Sequence, residues 1–212
     1  LHQPDVNRRL GVLISGRGSN LQALADAIRD GRLDATIAVA ISNRADAPGL
    51  ERAKRAGIEA LCIDHRDRSS RDDHDRAVAS ELRARNVGLV CLAGYMRLIG
   101  APLLDAFPDA ILNVHPSLLP AFPGVDAQRQ ALEHGVGVTG VTVHLVTAEL
   151  DNGPIVVQRT VPVMSDDTAE TLSARVLVEE HLAYAAAVGT VLDGEWRIEG
   201  RRFICSGSGA SC

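Results

Sequence analysis

The first half of the chain alternates short, wholly apolar runs with amphipathic helical stretches, and this alternation constrains the fold most. Strands are predicted at 10–14, 36–41, 60–63, 89–93 and 110–114, and helices at 21–29, 48–56, 71–85 and 102–107. Strands that are apolar on both faces belong to sheets covered by helices on both sides. The alternation therefore predicts an α/β fold with a doubly wound, mostly parallel sheet and right-handed crossovers.

The second half has a different pattern. A helix is predicted at 127–134, and two longer strands at 138–146 and 155–163 are joined by turn-forming residues, which favours an antiparallel pair. A long helix is expected at 168–188, with Asp167 as its N-cap and Glu170 three residues later. One strand is expected near 196–204.

These elements predict a single domain over residues 1–205. Its Rossmann-like half, at 10–115, would bind a nucleotide or phosphate, and its half at 116–205 would carry the antiparallel extension. The Ser/Gly-rich tail at 206–212 is expected to be disordered.

Length, composition and charge exclude several classes of protein. With 212 residues, 46% of them hydrophobic, the chain can bury a sizeable core. A net charge of −5 and 3% aromatic residues argue against a nucleic-acid surface. No apolar run approaches the roughly 18 residues of a membrane span, and the N-terminal apolar run is too short for a signal peptide. We therefore expect a cytoplasmic protein without nucleic-acid or membrane partners.

The four cysteines and seven histidines show no spacing typical of a metal site, so no metal is expected. Cys62 and Cys91 lie within apolar, strand-like runs. We expect both to be small, buried core residues.

A glycine-rich loop, ISGRGSNL at 14–21, follows the first strand and opens the first helix. Glycines allow close approach of a ligand to the backbone, and a helix N-terminus attracts an anion. A dinucleotide motif would have glycine at position 21 and an acidic residue where Ser42 and Asn43 stand. The loop thus predicts a site for one phosphate group; a capped turn without a ligand is the alternative.

The run ILNVHP at 111–116 ends a predicted strand, so Asn113 and His115 should face the same side. Pro116 favours extended geometry at His115. An amide beside an imidazole suits a developing oxyanion and a proton transfer. A hydrogen-bonded structural histidine is the alternative.

The segment TAELDNGP at 147–154 has turn chemistry and contains Asp151. If Asp151 lay near His115, it would favour the protonated imidazole. A plain turn residue is the alternative, because no local feature distinguishes Asp151 from Asp126 or Asp167. His144 follows the alternation of its strand, and we interpret it as a hydrogen-bonded structural residue.

Taken together, in this order, the motifs resemble the glycinamide ribonucleotide formyltransferase family of purine biosynthesis. The likeness spans roughly residues 10–190 and includes SGRGSNLQAL, ISNRADAPGLERAKRAGI, LAGYMRLI, ILNVHPSLLPAFPG, VTVHLVTAELDNGPIVVQ and RVLVEEHLAY. The resemblance implies the formyltransferase fold. It also implies transfer of the formyl group of 10-formyltetrahydrofolate to the amine of 5′-phosphoribosylglycinamide, without ATP or metal. A monomer and a homodimer both remain open.

The resemblance also implies that residues 116–205 are the folate-binding and catalytic-loop half of the domain, and it implies residue roles. Asn113 and His115 would carry the chemistry, and Asp151 would hold His115 protonated. The implied ribonucleotide contacts are Gly18, Ser19, Asn20 and Glu180. The implied folate contacts are Arg71, Met96, Arg97, Leu98, Ile99, Asn113, Thr147, Ala148, Glu149, Leu150 and Asp151.

Two residues depart from the family pattern. Arg17 lies in the glycine-rich loop, at a position where many relatives carry a smaller polar residue. Its side chain either strengthens phosphate binding or points into solvent. Leu177 replaces a polar residue at a helix position that contacts the nucleotide in the family, which removes one implied contact.

Three alternative functions remain. Formyltetrahydrofolate hydrolase uses a similar Asn-His-Asp set, but usually carries an N-terminal regulatory domain and a second histidine where this chain has Pro116. Methionyl-tRNA formyltransferase adds a C-terminal RNA-binding domain, whereas this chain is acidic and short beyond the core. Both are disfavoured. A non-catalytic sensor of a phosphate ligand on the same scaffold is the third alternative.

Overall fold

The structure is a computed structural model that describes residues 7–205, and it divides into two compact units between Asn113 and Val114. The tail predicted at 206–212 lies outside the described residues. The single domain expected over 1–205 stays a prediction.

The first unit contains a parallel sheet with the strand order β3-β2-β1-β4-β5. Its strands are β1 (Arg9–Ile14), β2 (Thr36–Ser42), β3 (Ala60–Cys62), β4 (Leu89–Leu92) and β5 (Ile111–His115), the last of which crosses the boundary between the units. Every residue of β4, and every residue of β1 after Arg9, is buried. The apolar runs therefore reflect burial on both faces, and the predicted mostly parallel α/β sheet is confirmed.

The helices of the first unit begin at recognisable local signals. They are α1 (Ser19–Arg29), α2 (Pro48–Arg55), α3 (Arg71–Ala84) and α4 (Ala101–Ala106), with a short 3₁₀ helix at His65–Asp67. Pro48 occupies the first position of α2, where its missing N–H costs little. The Ser70 hydroxyl accepts a hydrogen bond from the Asp73 amide and caps α3.

The two cysteines of the first unit differ in burial. Cys91 in β4 is buried, as expected, whereas Cys62 at the end of β3 is exposed. The expectation of a core cysteine is therefore wrong for Cys62. The three residues of β3 are half-buried or exposed, so this strand, at the end of the strand order, lacks the complete burial of β4.

The second unit contains the antiparallel extension. Its elements are α5 (Ala127–Glu133), β6 (Val138–Leu145), β7 (Ile155–Pro162), α6 (Ala169–Asp193), β8 (Trp196–Glu199) and β9 (Arg202–Cys205). Strands β6 and β7 pair antiparallel, from Val138 opposite Pro162 to His144 opposite Ile155. Strand β9 pairs parallel with β7 and antiparallel with β8. The predicted antiparallel pair is confirmed.

Two sequence expectations for the second unit are wrong. Thr168, not Asp167, is the N-cap of α6, and it forms a capping box with Thr171. The Asp167 carboxylate instead accepts two hydrogen bonds of 2.8 Å from Arg175. The final strand is a hairpin, because Gly200, with φ of 61°, turns the chain between β8 and β9.

Buried apolar side chains from α5, β7 and α6 form a core within the second unit. They are Ala131, Val161, Leu172 and Val176. This packing supports β7 and its partner β6, and the segment 146–154 connects these two strands. None of the helices within residues 7–205 combines the length and the apolar character that crossing a membrane requires.

Candidate active site

His115 ends strand β5 and is 4% exposed, and Asn113 lies two residues earlier in the same strand. The Nε2 atom of His115 is 2.9 Å from the carbonyl oxygen of Phe122, and its Nδ1 atom is 3.4 Å from Oδ2 of Asp151. Both neighbours are acceptors. A neutral imidazole has one N–H and can donate to one of them, whereas an imidazolium can donate to both. An imidazolium at His115 could therefore use both acceptors at once.

The backbone that follows His115 is held by a polar network centred on Thr142 of β6. The Thr142 hydroxyl donates to the Ser117 carbonyl at 2.7 Å and accepts from the Leu119 amide at 3.0 Å. The Gln158 side chain of β7 donates to the Thr142 hydroxyl at 2.9 Å and to the Leu119 carbonyl at 3.0 Å. These bonds fix the turn after His115, and with it the direction of the imidazole.

Asp151 lies in the segment between β6 and β7, and its side chain is 6% exposed. Its Oδ2 atom accepts a hydrogen bond of 2.8 Å from the Gly124 amide. Burial alone would raise the pKa of this carboxyl. The neighbouring His144 imidazole, the hydrogen bond from Gly124 and the charge of His115 together outweigh burial and hold the pKa of Asp151 below its usual value. Asp151 is therefore ionised at neutral pH.

His144, near the end of β6, is a part of this cluster that the sequence analysis did not foresee. Its Nε2 atom is 3.8 Å from Oδ1 of Asp151, and its Nδ1 atom is 2.9 Å from the carbonyl oxygen of Leu145. The expectation that His144 is hydrogen-bonded is met, but its neighbour is the carboxylate beside His115. Its place in the strand just before the turn around Asp151 was the available signal. Within residues 7–205, no three His, Cys, Asp or Glu side chains are grouped so as to hold a metal ion.

The glycine-rich loop of the first unit has the backbone geometry that an anion site needs. Gly18 adopts φ of 70° as the N-cap of α1, and no side chain caps that helix. The Gly49 amide at the start of α2 donates to the Gly16 carbonyl at 2.9 Å. A Cβ atom on Gly18 would lie 2.9 Å from Cα of Gly49, so a side chain there would separate the loop from α2. Ser19 and Asn20 then begin α1, whose positive end attracts an anion.

Two arginines accompany this loop. Arg17 is exposed, and Arg52 of α2 donates through Nε to the Arg17 carbonyl at 2.8 Å. Arg52 was not singled out from the sequence, because its proximity depends on how α2 packs against the loop. Asn20, one of the implied nucleotide contacts, is 6% exposed.

The implied folate contacts of the first unit lie near one another. Arg71 is the exposed first residue of α3. Met96 and Leu98 are 72% and 56% exposed, and the segment 96–99 precedes α4. A Cβ atom on Gly100 would lie 3.3 Å from Nε of Arg71, so the end of the segment adjoins the start of α3.

Ser15 links the start of that segment to the end of β1. Its hydroxyl accepts a hydrogen bond of 2.8 Å from the Met96 amide and donates to Oδ1 of Asn43 at 2.5 Å. Its amide donates to the Gly94 carbonyl at 3.1 Å. The glycine-rich loop and the segment 96–99 therefore start at the same carboxyl edge of the parallel sheet, where ligands bind in such folds.

The remaining implied contacts belong to the second unit. Thr147, Ala148, Glu149 and Leu150 are exposed and precede Asp151 in the same segment. Glu180 and Leu177 are both half-buried on α6. The roles implied for these residues stay predictions.

Comparison with known proteins identifies the family. Residues 8–188 match the formyl transferase family. Phosphoribosylglycinamide formyltransferase of Escherichia coli is 41% identical over 88% of this chain and 88% of its own length. The trifunctional purine biosynthetic protein adenosine-3 of Drosophila pseudoobscura is 45% identical over 93% of this chain, which spans 14% of that longer relative.

Solved structures agree with the sequence relatives. Glycinamide ribonucleotide transformylase 1 from Symbiobacterium toebii is 57% identical, with a TM-score of 0.93 and 95% of each chain covered. Phosphoribosylglycinamide formyltransferase from Anaplasma phagocytophilum is 39% identical, with a TM-score of 0.88 and 96% of each chain covered. These matches confirm both the resemblance inferred from the motifs and the predicted formyltransferase fold. The chain belongs to the formyl transferase family.

Proposed function

We propose that this chain transfers the formyl group of 10-formyltetrahydrofolate to the amine of 5′-phosphoribosylglycinamide, a step of de novo purine biosynthesis. The buried contact between His115 and Asp151, 3.4 Å apart, carries the proposal. It joins two of the three residues to which the motifs assign the chemistry. Family membership and the near full-length match to the Bacillus subtilis phosphoribosylglycinamide formyltransferase, 95% of which is covered, support the same activity.

The first step is direct attack of the substrate amine on the formyl carbon. As the new C–N bond forms, the carbonyl π electrons move onto the formyl oxygen, which becomes negative. The His115 imidazolium and the Asn113 amide are the donors that stabilise this oxygen. Losing one such donor costs roughly 3 kcal/mol of transition-state stabilisation.

The second step breaks the bond between the formyl carbon and N10 of the folate. The electron pair on the oxygen restores the carbonyl, and N10 keeps the electrons of the broken bond and takes a proton from His115. The attacking nitrogen gives up its extra proton to His115 or to water, so the protons balance. General acid–base help of this kind contributes about 10²- to 10⁴-fold. Asp151 stays ionised throughout and favours the protonated imidazole.

Substrate binding follows the residue roles implied by the family. Gly18, Ser19 and Asn20 would hold the phosphate at the N-terminus of α1, and Glu180 would contact the ribose hydroxyls or the glycinamide ammonium. Arg71 would face the folate carboxylates, and the segments 96–99 and 147–151 would contact the rest of the folate.

The experiment follows loss of 10-formyltetrahydrofolate spectroscopically at neutral pH, with and without 5′-phosphoribosylglycinamide, and without ATP or added metal. Turnover that requires the nucleotide supports the proposal. Equal turnover in both samples identifies water as the acceptor and replaces the transferase with the hydrolase. Nucleotide binding without turnover in either sample favours the sensor.

A cytoplasmic location and a monomeric or homodimeric state also remain proposals. Cell fractionation and light scattering test them directly.

A further inference from the structure

Helix α3 carries a buried polar pair that the proposed reaction does not use. His74 is 0% exposed and Asp75 is 1% exposed. The Nε2 atom of His74 is 3.0 Å from the Ile63 carbonyl oxygen, and Oδ2 of Asp75 accepts a hydrogen bond of 2.7 Å from the Gly100 amide. The other two polar atoms, Nδ1 of His74 and Oδ1 of Asp75, face each other at 3.5 Å and have no further hydrogen-bond partner within residues 7–205.

A buried carboxylate is costly, and an apolar side chain of similar shape would fill the same space without that cost. Among residues 7–205, the hydrogen bond that Asp75 accepts from outside its own helix comes from the Gly100 amide. Burial, and then the charge of Asp75, raise the pKa of the hydroxyl of Tyr95, the residue just before the segment 96–99, above its usual value. Gly100 directly follows the segment 96–99, so the Asp75 carboxylate holds the C-terminal end of this segment.

The segment 96–99 depends on such anchors for its shape. It contains neither helix nor strand, and Met96 and Leu98 expose most of their surface. At its start, the Met96 amide donates to the Ser15 hydroxyl, and immediately after its end the Gly100 amide donates to Asp75. Without the second bond, the segment would lose this anchor at its C-terminal end.

Resting on the proposed function, we propose that Asp75 is a positioning residue for the formyl donor. It holds Gly100 and thereby sets the distance between the segment 96–99 and Arg71. Asp75 lies one helical turn after Arg71 on α3, so both are fixed to the same rigid element. The fit is tight: a Cβ atom on Gly100 would lie 3.0 Å from Oδ2 of Asp75 and 3.2 Å from Oδ1 of Asp72.

Two substitutions of Asp75 distinguish the loss of its hydrogen-bond acceptor from the loss of its negative charge. Asp75→Ala removes the acceptor, and we expect the KM for 10-formyltetrahydrofolate to rise about tenfold, the factor that ~1.4 kcal/mol produces. The kcat and the KM for the nucleotide should stay within about twofold. Asp75→Asn should restore the donor KM, because the introduced amide can accept from Gly100 and donate to Nδ1 of His74. Asp105→Asn, an exposed carboxylate on α4, is the matched control.

Hydrogen exchange of the Gly100 amide, followed by NMR without any substrate, tests the contact independently of catalysis. Exchange should accelerate about tenfold or more in Asp75→Ala and stay close to the wild-type rate in Asp75→Asn. Gly100→Ala disturbs the hydrogen bond between Gly100 and Asp75 by changing its donor residue. The φ of −99° at Gly100 is one that alanine can adopt. This substitution should raise the donor KM in the same way, which keeps the proposal testable if Asp75→Ala does not fold.

The possible failures are distinguishable. Normal wild-type kinetics, with a donor KM that neither Asp75→Ala nor Gly100→Ala changes, would overturn the positioning role and leave the proposed function standing. An unchanged exchange rate in Asp75→Ala would do the same. Absence of nucleotide-dependent formyl transfer in the wild type would overturn both.

Discussion

The substitution Asp151→Asn tests the centre of the proposed mechanism. The introduced amide keeps an oxygen that can accept the hydrogen bond from Gly124, now 2.8 Å long, so the loop should stay in place. What it removes is the negative charge 3.4 Å from Nδ1 of His115. We predict that kcat/KM for formyl transfer falls about 10²- to 10³-fold, since the imidazolium loses its counter-charge.

The magnitude follows from the geometry. Two unit charges 3.4 Å apart attract each other by about 5 kcal/mol at an effective dielectric constant of about 20. The two side chains are 5% and 6% exposed, so solvent screens the pair little. The amide oxygen of the variant keeps part of this attraction, which leaves a loss of about 3–4 kcal/mol. At 1.36 kcal/mol for each factor of ten, that loss corresponds to the predicted range.

The variant should also change the pH dependence. The pKa of Asp151 lies below its usual value, because hydrogen bonds and the two imidazoles outweigh the effect of burial. The stabilisation from this carboxylate is therefore present above its unfolded pKa and is lost as pH falls through its folded pKa. Down to that range the wild type keeps a charged partner for His115. The ratio of wild-type to variant activity should therefore narrow as pH falls through the folded pKa of Asp151, because the wild-type carboxyl then loses the charge that the variant lacks at every pH.

Two other carboxylates provide controls, and they are the ones that the sequence could not distinguish from Asp151. Asp126→Asn and Asp167→Asn each remove one charge from the second unit without touching His115. The assay is initial rates across pH for all three variants, with thermal denaturation to establish folding. A similar loss of kcat/KM in all three, or a loss below tenfold in a folded Asp151→Asn, would refute the reasoning.

Three further predictions concern the substrate sites and the glycine-rich loop. Arg71→Gln should raise the measured KM for 10-formyltetrahydrofolate about tenfold. For a folate donor that lacks the glutamyl carboxylates, the same substitution should leave the KM unchanged. Arg17→Gln should raise the KM for the nucleotide, with a weaker dependence on salt, if the guanidinium binds the phosphate; a KM unchanged at all salt concentrations would show that it points into solvent. Gly49→Ala would place a Cβ atom 2.9 Å from the Gly16 carbonyl oxygen, and the strain should lower the free energy of unfolding by about 1–3 kcal/mol in urea titrations.

The architecture was predictable because burial leaves a direct mark on the sequence. Every residue of β4 is buried, and its run of apolar residues identifies it without any knowledge of its neighbours. The errors arose where a distant or single contact decides the local structure. Asp167 forms an ion pair with Arg175, eight residues later in the chain. Thr168, and not Asp167, is the N-cap of α6. Gly200 turned one expected strand into a hairpin.

The motifs of the candidate site were predictable from the sequence, but the contacts between them were not. Turn chemistry around Asp151 and strand chemistry at His115 are visible in the sequence, whereas their 3.4 Å separation depends on the turn after β5 and on the pairing of β6 with β7. The same dependence concealed His144 and Arg52. Arg52 contacts a loop 35 residues earlier in the chain, and His144 meets Asp151 through the fold of the segment between β6 and β7, so neither residue type was a sufficient signal.

The three aspartates differ in the partner that each one meets, and this difference explains why one of them can take part in chemistry. Asp126 and Asp167 pair with arginines at 2.6 and 2.8 Å. A guanidinium keeps its charge at any pH in which the protein is folded, so these two pairs can hold structure but cannot exchange a proton. Asp151 instead lies beside two imidazoles, and histidine is the side chain that most often acts as a general acid or base. Of the three environments, that of Asp151 alone places a carboxylate beside an imidazole, which is the pairing that the proposed reaction requires.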